Sequence, residues 1–259
     1  MFKYCSLYSG SSGNSFFVTS GKTNIIIDAG VSLKKITTAL QQIDIKGEDI
    51  DAILVTHDHI DHTKSIATLS NKYNIPVFAN KKTWEAIPDI AIKIPDNNKK
   101  IFINLEKFLI GDIEIFPFNT PHDAADPCGF NLYNSGKKIS IATDIGYISD
   151  ELLDHLKKSS SILLEANYDP EILKYSRYPY LLKKRISSDS GHLSNIAAAK
   201  TISKLYDSGL TNALLIHLSK ENNFPELVYE TIKNETLNCK NLFIDVAPRD
   251  KPTKFFEVS

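Results

Sequence analysis

Directly after the apolar run Ile53-Leu54-Val55 the chain reads Thr56-His57-Asp58-His59-Ile60-Asp61-His62. With seven histidines and nineteen aspartates in 259 residues, an H-x-H-x-D-H string arises by chance in roughly one chain in three thousand of this composition. Imidazole and carboxylate groups together suit Zn²⁺, Mn²⁺ or Fe, whereas a Mg²⁺ site normally shows fewer histidines. His57, His59, Asp61 and His62 cannot all reach one ion from six consecutive residues without crowding. The spacing therefore predicts two divalent ions.

Three further residues carry the same chemistry and each follows or ends an apolar run: His122 in Thr120-Pro121-His122-Asp123, Asp144 in Thr143-Asp144-Ile145-Gly146, and His217 in Leu215-Ile216-His217-Leu218. Strand ends converge on ligand sites in sheet proteins, so these residues are expected at the same edge as the histidine loop. Two more stand out beside them. Glu165 is the only charge at the end of the apolar strand Leu163-Leu164-Glu165-Ala166, and His192 precedes Ser194, the expected cap of an Ala-rich helix. An imidazole held by a carboxylate can act as a general acid for an alkoxide leaving group.

These residues need strands that end together. Short β-like runs open the chain at 2–8, 15–19 and 24–28. Leu33, Ile36, Leu40 and Ile43 then recur at helical spacing behind Ser32, a plausible N-cap. A buried strand over 52–55, helical material over 64–73 and a strand over 75–79 follow. Residues 102–118 read as two strands turning at Ile110-Gly111-Asp112, and 128–133 with 138–143 as a hairpin around Asn134-Ser135-Gly136. Ser149 begins a helix, 161–166 is a strand, Ser194 begins a helix to about Tyr206, and Pro225 opens another through Ile232. The last strands are 214–217, 242–246 and 254–258. Strands come first and then alternate with helices in both halves, which suits two sheets packed face to face with helices outside, an α+β (α/β) four-layer sandwich. The pattern alone also leaves a three-layer α/β fold open.

Hydrophobic residues make up 42% and charged residues 24% of the chain, which excludes a disordered or collagen-like class. No segment is rich enough in Pro, Gly or Ser to be a linker, so residues 1–259 are expected to form a single hydrolase domain. The N-terminus lacks an apolar signal region, and no apolar run approaches the roughly 18 residues that span a bilayer. A cytoplasmic protein without membrane contact is the expectation. Cys5, Cys128 and Cys239 contain no C-x-x-C and read as buried free thiols. A net charge of -1 denies the molecule a general cationic field, so any nucleic-acid contact must be local. One stretch could supply it: Lys174, Arg177, Lys183, Lys184 and Arg185 occur with Tyr175, Tyr178 and Tyr180 between Ile172 and Ile186, without one acid. Cations could follow a phosphate backbone while tyrosines contact bases. A solvated face with packing tyrosines has the same composition.

Taken together, the chain resembles the metallo-β-lactamase superfamily, in which H-x-H-x-D-H is the defining motif. The resemblance covers essentially the whole chain. It implies that His57, His59 and His122 hold one metal, that Asp61, His62 and His217 hold the other, and that Asp144 bridges them. Asp28, in Ile27-Asp28-Ala29-Gly30, matches the early buried aspartate that orients the metal-binding loop. A hydroxide bridging two ions about 3.5–4 Å apart is a nucleophile at neutral pH. Glu165 and His192 resemble the proton-donating pair of ribonuclease Z-like phosphodiesterases. The strings Ser9-Gly10-Ser11-Ser12-Gly13-Asn14, Glu165-Ala166-Asn167-Tyr168-Asp169, Gly191-His192-Leu193-Ser194-Asn195 and His217-Leu218-Ser219-Lys220-Glu221 look like the bacterial WalJ/YycJ-type branch.

The branch implies phosphodiester hydrolysis in nucleic acid by a DNA exonuclease, DNA being favoured over RNA. Its catalytic residues would be Asp61, His192 and Glu165, with two Zn²⁺ or Mn²⁺ ions and Fe as the remaining choice. Ser11, Ser12 and Asn14 could offer donors to a phosphate, although a tight hairpin turn explains them equally. Lys220 could stabilise charge on the reacting phosphate. With 72 residues between Asp144 and His217, there is no room for a β-CASP insertion, and no long Gly-rich arm grips a tRNA. A cyclic nucleotide phosphodiesterase, a glyoxalase II-like thioester hydrolase, and a non-catalytic metal-containing regulatory protein are the other readings. Monomer and homodimer are equally compatible with the sequence.

Overall fold

Short runs of two to seven residues, too short for buried helices, pair into two seven-stranded sheets in a computed structural model that describes residues 1–258. The first sheet contains β1 (Lys3–Tyr8), β2 (Ser15–Thr19), β3 (Asn24–Ile27), β4 (Ala52–Leu54), β5 (Val77–Asn80) and β6 (Lys99–Phe102). The second contains β7 (Phe108–Ile110), β8 (Ile113–Asn119), β9 (Cys128–Asn134), β10 (Lys137–Ala142), β11 (Ser161–Glu165), β12 (Asn212–Ile216) and β13 (Phe243–Val246). The last strand, β14 (Phe256–Glu257), returns to the first sheet beside β1.

The two sheets follow one plan. Along β14-β1-β2-β3-β4-β5-β6 the pairings are antiparallel as far as β3 and parallel beyond it. Along β7-β8-β9-β10-β11-β12-β13 they are antiparallel as far as β10 and parallel beyond it. Parallel strands end on the same side, and their loops are where a ligand site forms.

Ten helices cover the outer faces among the described residues: α1 (Leu33–Gln42), α2 (Ile60–Thr63), α3 (Ile66–Tyr73), α4 (Lys81–Ala86), α5 (Pro88–Ala91), α6 (Asp150–Leu156), α7 (Pro170–Tyr175), α8 (Tyr180–Ile186), α9 (Asn195–Tyr206) and α10 (Pro225–Glu235). Ser32, Ser149 and Ser194 accept the expected capping bonds from Lys35, Leu152 and Ala197. Three cores separate the layers. Phe16, Ile25, Leu54, Ile115, Phe130 and Ile141 pack between the sheets. Ile36, Leu40, Ile53 and Leu69 fill the space under α1 and α3, and Leu152, Leu164, Ile202 and Ile232 the space under α6, α9 and α10. The result is the four-layer αββα sandwich.

Two readings of the sequence need revision. The two strands turning at Ile110-Gly111-Asp112 are present as β7 and β8, but they begin at Phe108 rather than at Phe102: β6 ends at Phe102 in the first sheet, and the chain crosses to β7 in the second through Leu105, whose φ is 67°. Asp61 and His62 belong to a separate turn of helix, α2, ahead of α3. Cys5 and Cys128 are buried free thiols as expected, and Cys239 is half-buried. No helix among the described residues is long and apolar enough to cross a membrane.

Candidate metal centre

Every expected metal-binding residue hangs from one end of the two sheets. Asp28 follows β3, His57 to His62 follow β4, His122 follows β8, Asp144 follows β10 and His217 follows β12. Asp28, Asp144 and His217 have φ of 60°, 56° and 58°, a left-handed backbone that costs a side-chain-bearing residue roughly 1–2 kcal/mol. Local bonds hold it. The Asp28 amide donates to Leu54 O at 2.8 Å, and the His217 amide to Ser9 Oγ at 2.8 Å. Gly30 lets the motif close on β3: a Cβ there would stand 1.6 Å from Asp61 O.

The side chains gather into overlapping groups. Ligand atoms of His57, His59 and His122 lie within 4.8 Å of one another, as do those of Asp61, His62 and His217. Asp144 stands between the groups. Its Oδ1 is 3.6 Å from His122 Nε2, while its Oδ2 is 3.1 Å from His62 Nε2 and 3.2 Å from His217 Nδ1. Asp61 Oδ2 is 3.6 Å from His62 Nε2.

Burial and the neighbouring His62 ring push His57 well below the ordinary histidine value. Burial acts on His62 the same way, but Asp144 and Asp28 reverse it and raise that ring well above the ordinary value. Burial lowers His217, with Asp144 opposing. The Asp144 carboxyl stays well below the usual range because His217 and His62 overcome a burial that would raise it. His57 Nε2 is buried without a hydrogen-bond partner. An orphaned imidazole nitrogen beside carboxylates fits a divalent cation, because such a cation supplies the partner that His57 Nε2 lacks.

Residues behind these groups fix their orientation. Asp28, fully buried, accepts from the Thr56 amide at 2.9 Å, the Thr56 hydroxyl at 2.8 Å and His62 Nδ1 at 2.7 Å. His122 Nδ1 donates to Gly191 O at 2.9 Å. Thr143 Oγ1 donates to Asp144 Oδ2 at 2.7 Å. Thr56 and Thr143 have no assigned role in the sequence reading, although each immediately precedes a metal-type residue at the end of a strand, one in each half.

Glu165 and His192 meet beside this cluster. His192 Nδ1 is 2.7 Å from Glu165 Oε1, and Glu165 Oε2 accepts from the amides of Ile145 and Leu193 at 2.7 and 3.2 Å. Burial acts against a charged ring, yet the Glu165 carboxylate holds His192 up at about 9. Gly146 and Gly191 permit the approach of the two loops: Cβ atoms there would lie 2.0 Å from Asp189 O and 2.2 Å from Arg185 O.

The expected substrate contacts divide. Ser11 and Ser12 are exposed at the tip of a turn closed by Gly13 N to Gly10 O at 2.9 Å. Asn14 is corrected: it is fully buried, its Oδ1 accepts from the Gly10 amide and its Nδ2 lies 3.1 Å from His62 Nε2. Its amide is spent inside the loop. The basic stretch forms α7 and α8, held by Tyr168, Leu173 and Ile186. Within it Lys174 pairs with Glu171, Lys183 donates to Lys174 O, and Arg185 pairs with Asp123. Arg177, Tyr180, Lys184 and Lys220 are exposed. A cleft of about 400 Å³ is lined by Tyr168, Lys174, Tyr180, Lys183 and Lys184, with no acid in its wall.

Comparison with known proteins bears on this arrangement. Residues 23–218 match the β-lactamase superfamily domain. The chain is 41% identical over 236 residues to exodeoxyribonuclease WalJ of Streptococcus pneumoniae, covering 90% of this chain and 88% of the relative. It is 38% identical over 221 residues to exodeoxyribonuclease YycJ of Bacillus anthracis, covering 85% and 84%. Among solved structures, the metallo-β-lactamase fold protein YhfI from Bacillus subtilis superposes with a TM-score of 0.74 at 14% identity, over 98% of this chain and 99% of that one. The short form of human tRNase Z gives 0.69 at 14% identity, over 99% of each chain. At such identity these structures establish the fold alone.

Proposed function

The chain belongs to the β-lactamase superfamily, in the branch of the WalJ and YycJ exodeoxyribonucleases, and from that premise we propose that it is a metal-dependent exonuclease acting on DNA. The observation that carries the reading is the stance of Asp144, one oxygen toward His122 and the other toward His62 and His217. A carboxylate so placed suits two cations held side by side. In this reading residues 1–259 act as one hydrolase domain and hold two divalent ions, zinc or manganese, with iron compatible with the same donors. His57, His59 and His122 would hold one and Asp61, His62 and His217 the other, with Asp144 placed to serve both groups.

Bound there, the ions would supply a water made nucleophilic at neutral pH and withdraw charge from a phosphoryl oxygen. The chain's own residues do the rest. His192, with Nδ1 committed to Glu165, presents its other nitrogen to the departing sugar oxygen and gives it a proton. Glu165 keeps that ring charged and aimed, and its second oxygen ties it to the loop after Asp144. The exposed Lys220 adds positive charge after β12. The cleft between α7 and α8 takes the strand, its lysines on phosphates and Tyr180 against a base.

The test is a panel of end-labelled DNA, end-labelled RNA, cyclic nucleotides and an acyl thioester, run on the parent chain and on Asp61→Ala. Asp61 has a side chain 24% exposed, so its loss leaves the core intact. Mononucleotide release from DNA ends, falling about a hundredfold or more in the variant, supports the reading. Faster turnover of the thioester or cyclic nucleotides overturns it.

A further inference from the structure

The proton count around Asp28 leads from one carboxylate to two histidines on opposite sides of the cluster. A threonine hydroxyl has one hydrogen to donate. At Thr56 that hydrogen goes to Asp28 Oδ2, 2.8 Å away. The same hydroxyl oxygen is 2.9 Å from His57 Nδ1. Its own hydrogen being committed, it can only accept there, so His57 carries its ring hydrogen on Nδ1. The lone pair is left on Nε2, the buried nitrogen that has no hydrogen-bond partner.

His62 reaches the carboxylate directly, with Nδ1 2.7 Å from Asp28 Oδ2. The Thr56 hydroxyl is 3.4 Å from that nitrogen and does not compete. His62 therefore also keeps its hydrogen on Nδ1 and turns Nε2 toward Asp61 and Asp144. We infer that Thr56 is a positioning residue that relays Asp28 to His57, so that a single buried carboxylate fixes the ring tautomer of one histidine in each metal-binding group. Tautomer selection by a partner behind the ligand raises metal affinity because the ring need not reorganise on binding. The inference rests on the metal reading given above.

The full chain loaded with Zn²⁺ provides the test. Thr56→Val keeps the shape and removes the hydroxyl, and Thr56→Ser restores it. Zinc retained per chain, zinc affinity by chelator competition, and the ¹⁵N resonances of the His57 ring are measured together. His57 is expected to carry hydrogen on Nδ1 in the parent and in Thr56→Ser. In Thr56→Val affinity falls about 10- to 100-fold, with zinc lost first from the group containing His57.

A Thr56→Val chain that matches the parent in zinc affinity and ring spectrum overturns the relay. So does a parent whose His57 is protonated on Nε2, a result that needs no variant to fold. A parent that takes up no zinc contradicts the metal reading itself, which separates the two failures.

Discussion

Nδ1 of His192 lies 2.7 Å from Oε1 of Glu165, a carboxylate with no exposure to solvent. Glu165 ends β11 and His192 stands in the loop before α9, and each segment is also tied to one that carries a metal-type residue: Glu165 Oε2 accepts from the amide after Asp144, and Gly191 O accepts from His122 Nδ1. A proton donor at His192 would thus be placed by the same framework as the cluster beside it.

If His192 is the acid, its importance depends on the leaving group. His192→Ala is expected to slow DNA hydrolysis by about 10²–10⁴-fold. A phosphodiester with a p-nitrophenolate leaving group needs no proton, and its hydrolysis should change little. Equal loss on both substrates would assign His192 to binding or structure instead.

Gly30 is predicted to tolerate no side chain. A Cβ would meet Asp61 O at 1.6 Å and Asn14 N at 2.8 Å, both backbone atoms of the site loops. Gly30→Ala should cost about 3 kcal/mol or more in urea unfolding. Gly136→Ala, with φ of 75° and nothing within 4 Å, incurs only the left-handed cost of roughly 1–2 kcal/mol. Similar losses for the two would refute this packing account.

Much of this centre can be read from the chain because its chemistry is local. His57 to His62 fall within six residues, and Asp144 and His217 each end an apolar strand, so spacing and patterning reveal them. Thr56 and Thr143 escape notice because a hydroxyl acquires its role only from what stands across the fold. Asn14 misleads for a related reason: glycines flank it as they would flank a phosphate loop, but the fold turns it inward against His62. Helices α7 and α8 lack a readable apolar period because only Leu173 and Ile186 along them are buried. The β6-to-β7 crossing is hidden by Leu105, whose φ of 67° no pattern of hydrophobicity announces.

Lys138 gives a pH dependence of stability remote from the centre. Its Nζ donates to His155 O at 2.5 Å and Lys157 O at 2.8 Å, at the C-terminal end of α6, where a cation is favoured. Burial lowers its amine from 10.5 to about 8. Between these values the unfolded chain holds a proton that the folded chain has released, so stability rises with pH across the window and is lost as pH falls through about 8. Urea unfolding of the parent and Lys138→Met from pH 7.5 to 10.5 checks the sign, the pH limits being set at roughly the two pKa values. The rise should be present in the parent and missing in the variant.

The α7–α8 cleft predicts salt-sensitive binding. Lys184→Glu and Tyr180→Ala, both at exposed positions, should raise KM for DNA and leave kcat nearly unchanged. Loss of one phosphate contact lowers the slope of log(kcat/KM) against log salt by about 0.7–0.9 in Lys184→Glu and leaves it alone in Tyr180→Ala. A fall in kcat with unchanged KM would place the DNA elsewhere.

In this reading two divalent ions in one cluster make the chain a DNA hydrolase. The decisive measurement strips the purified protein with chelator and titrates Mn²⁺ or Zn²⁺ against hydrolysis of end-labelled DNA, with bound metal counted at each point. Activity should be absent in the stripped protein, return on titration and saturate when two ions are bound per chain. DNA degradation by the metal-free protein, or a chain that holds two ions and leaves DNA intact, would contradict it.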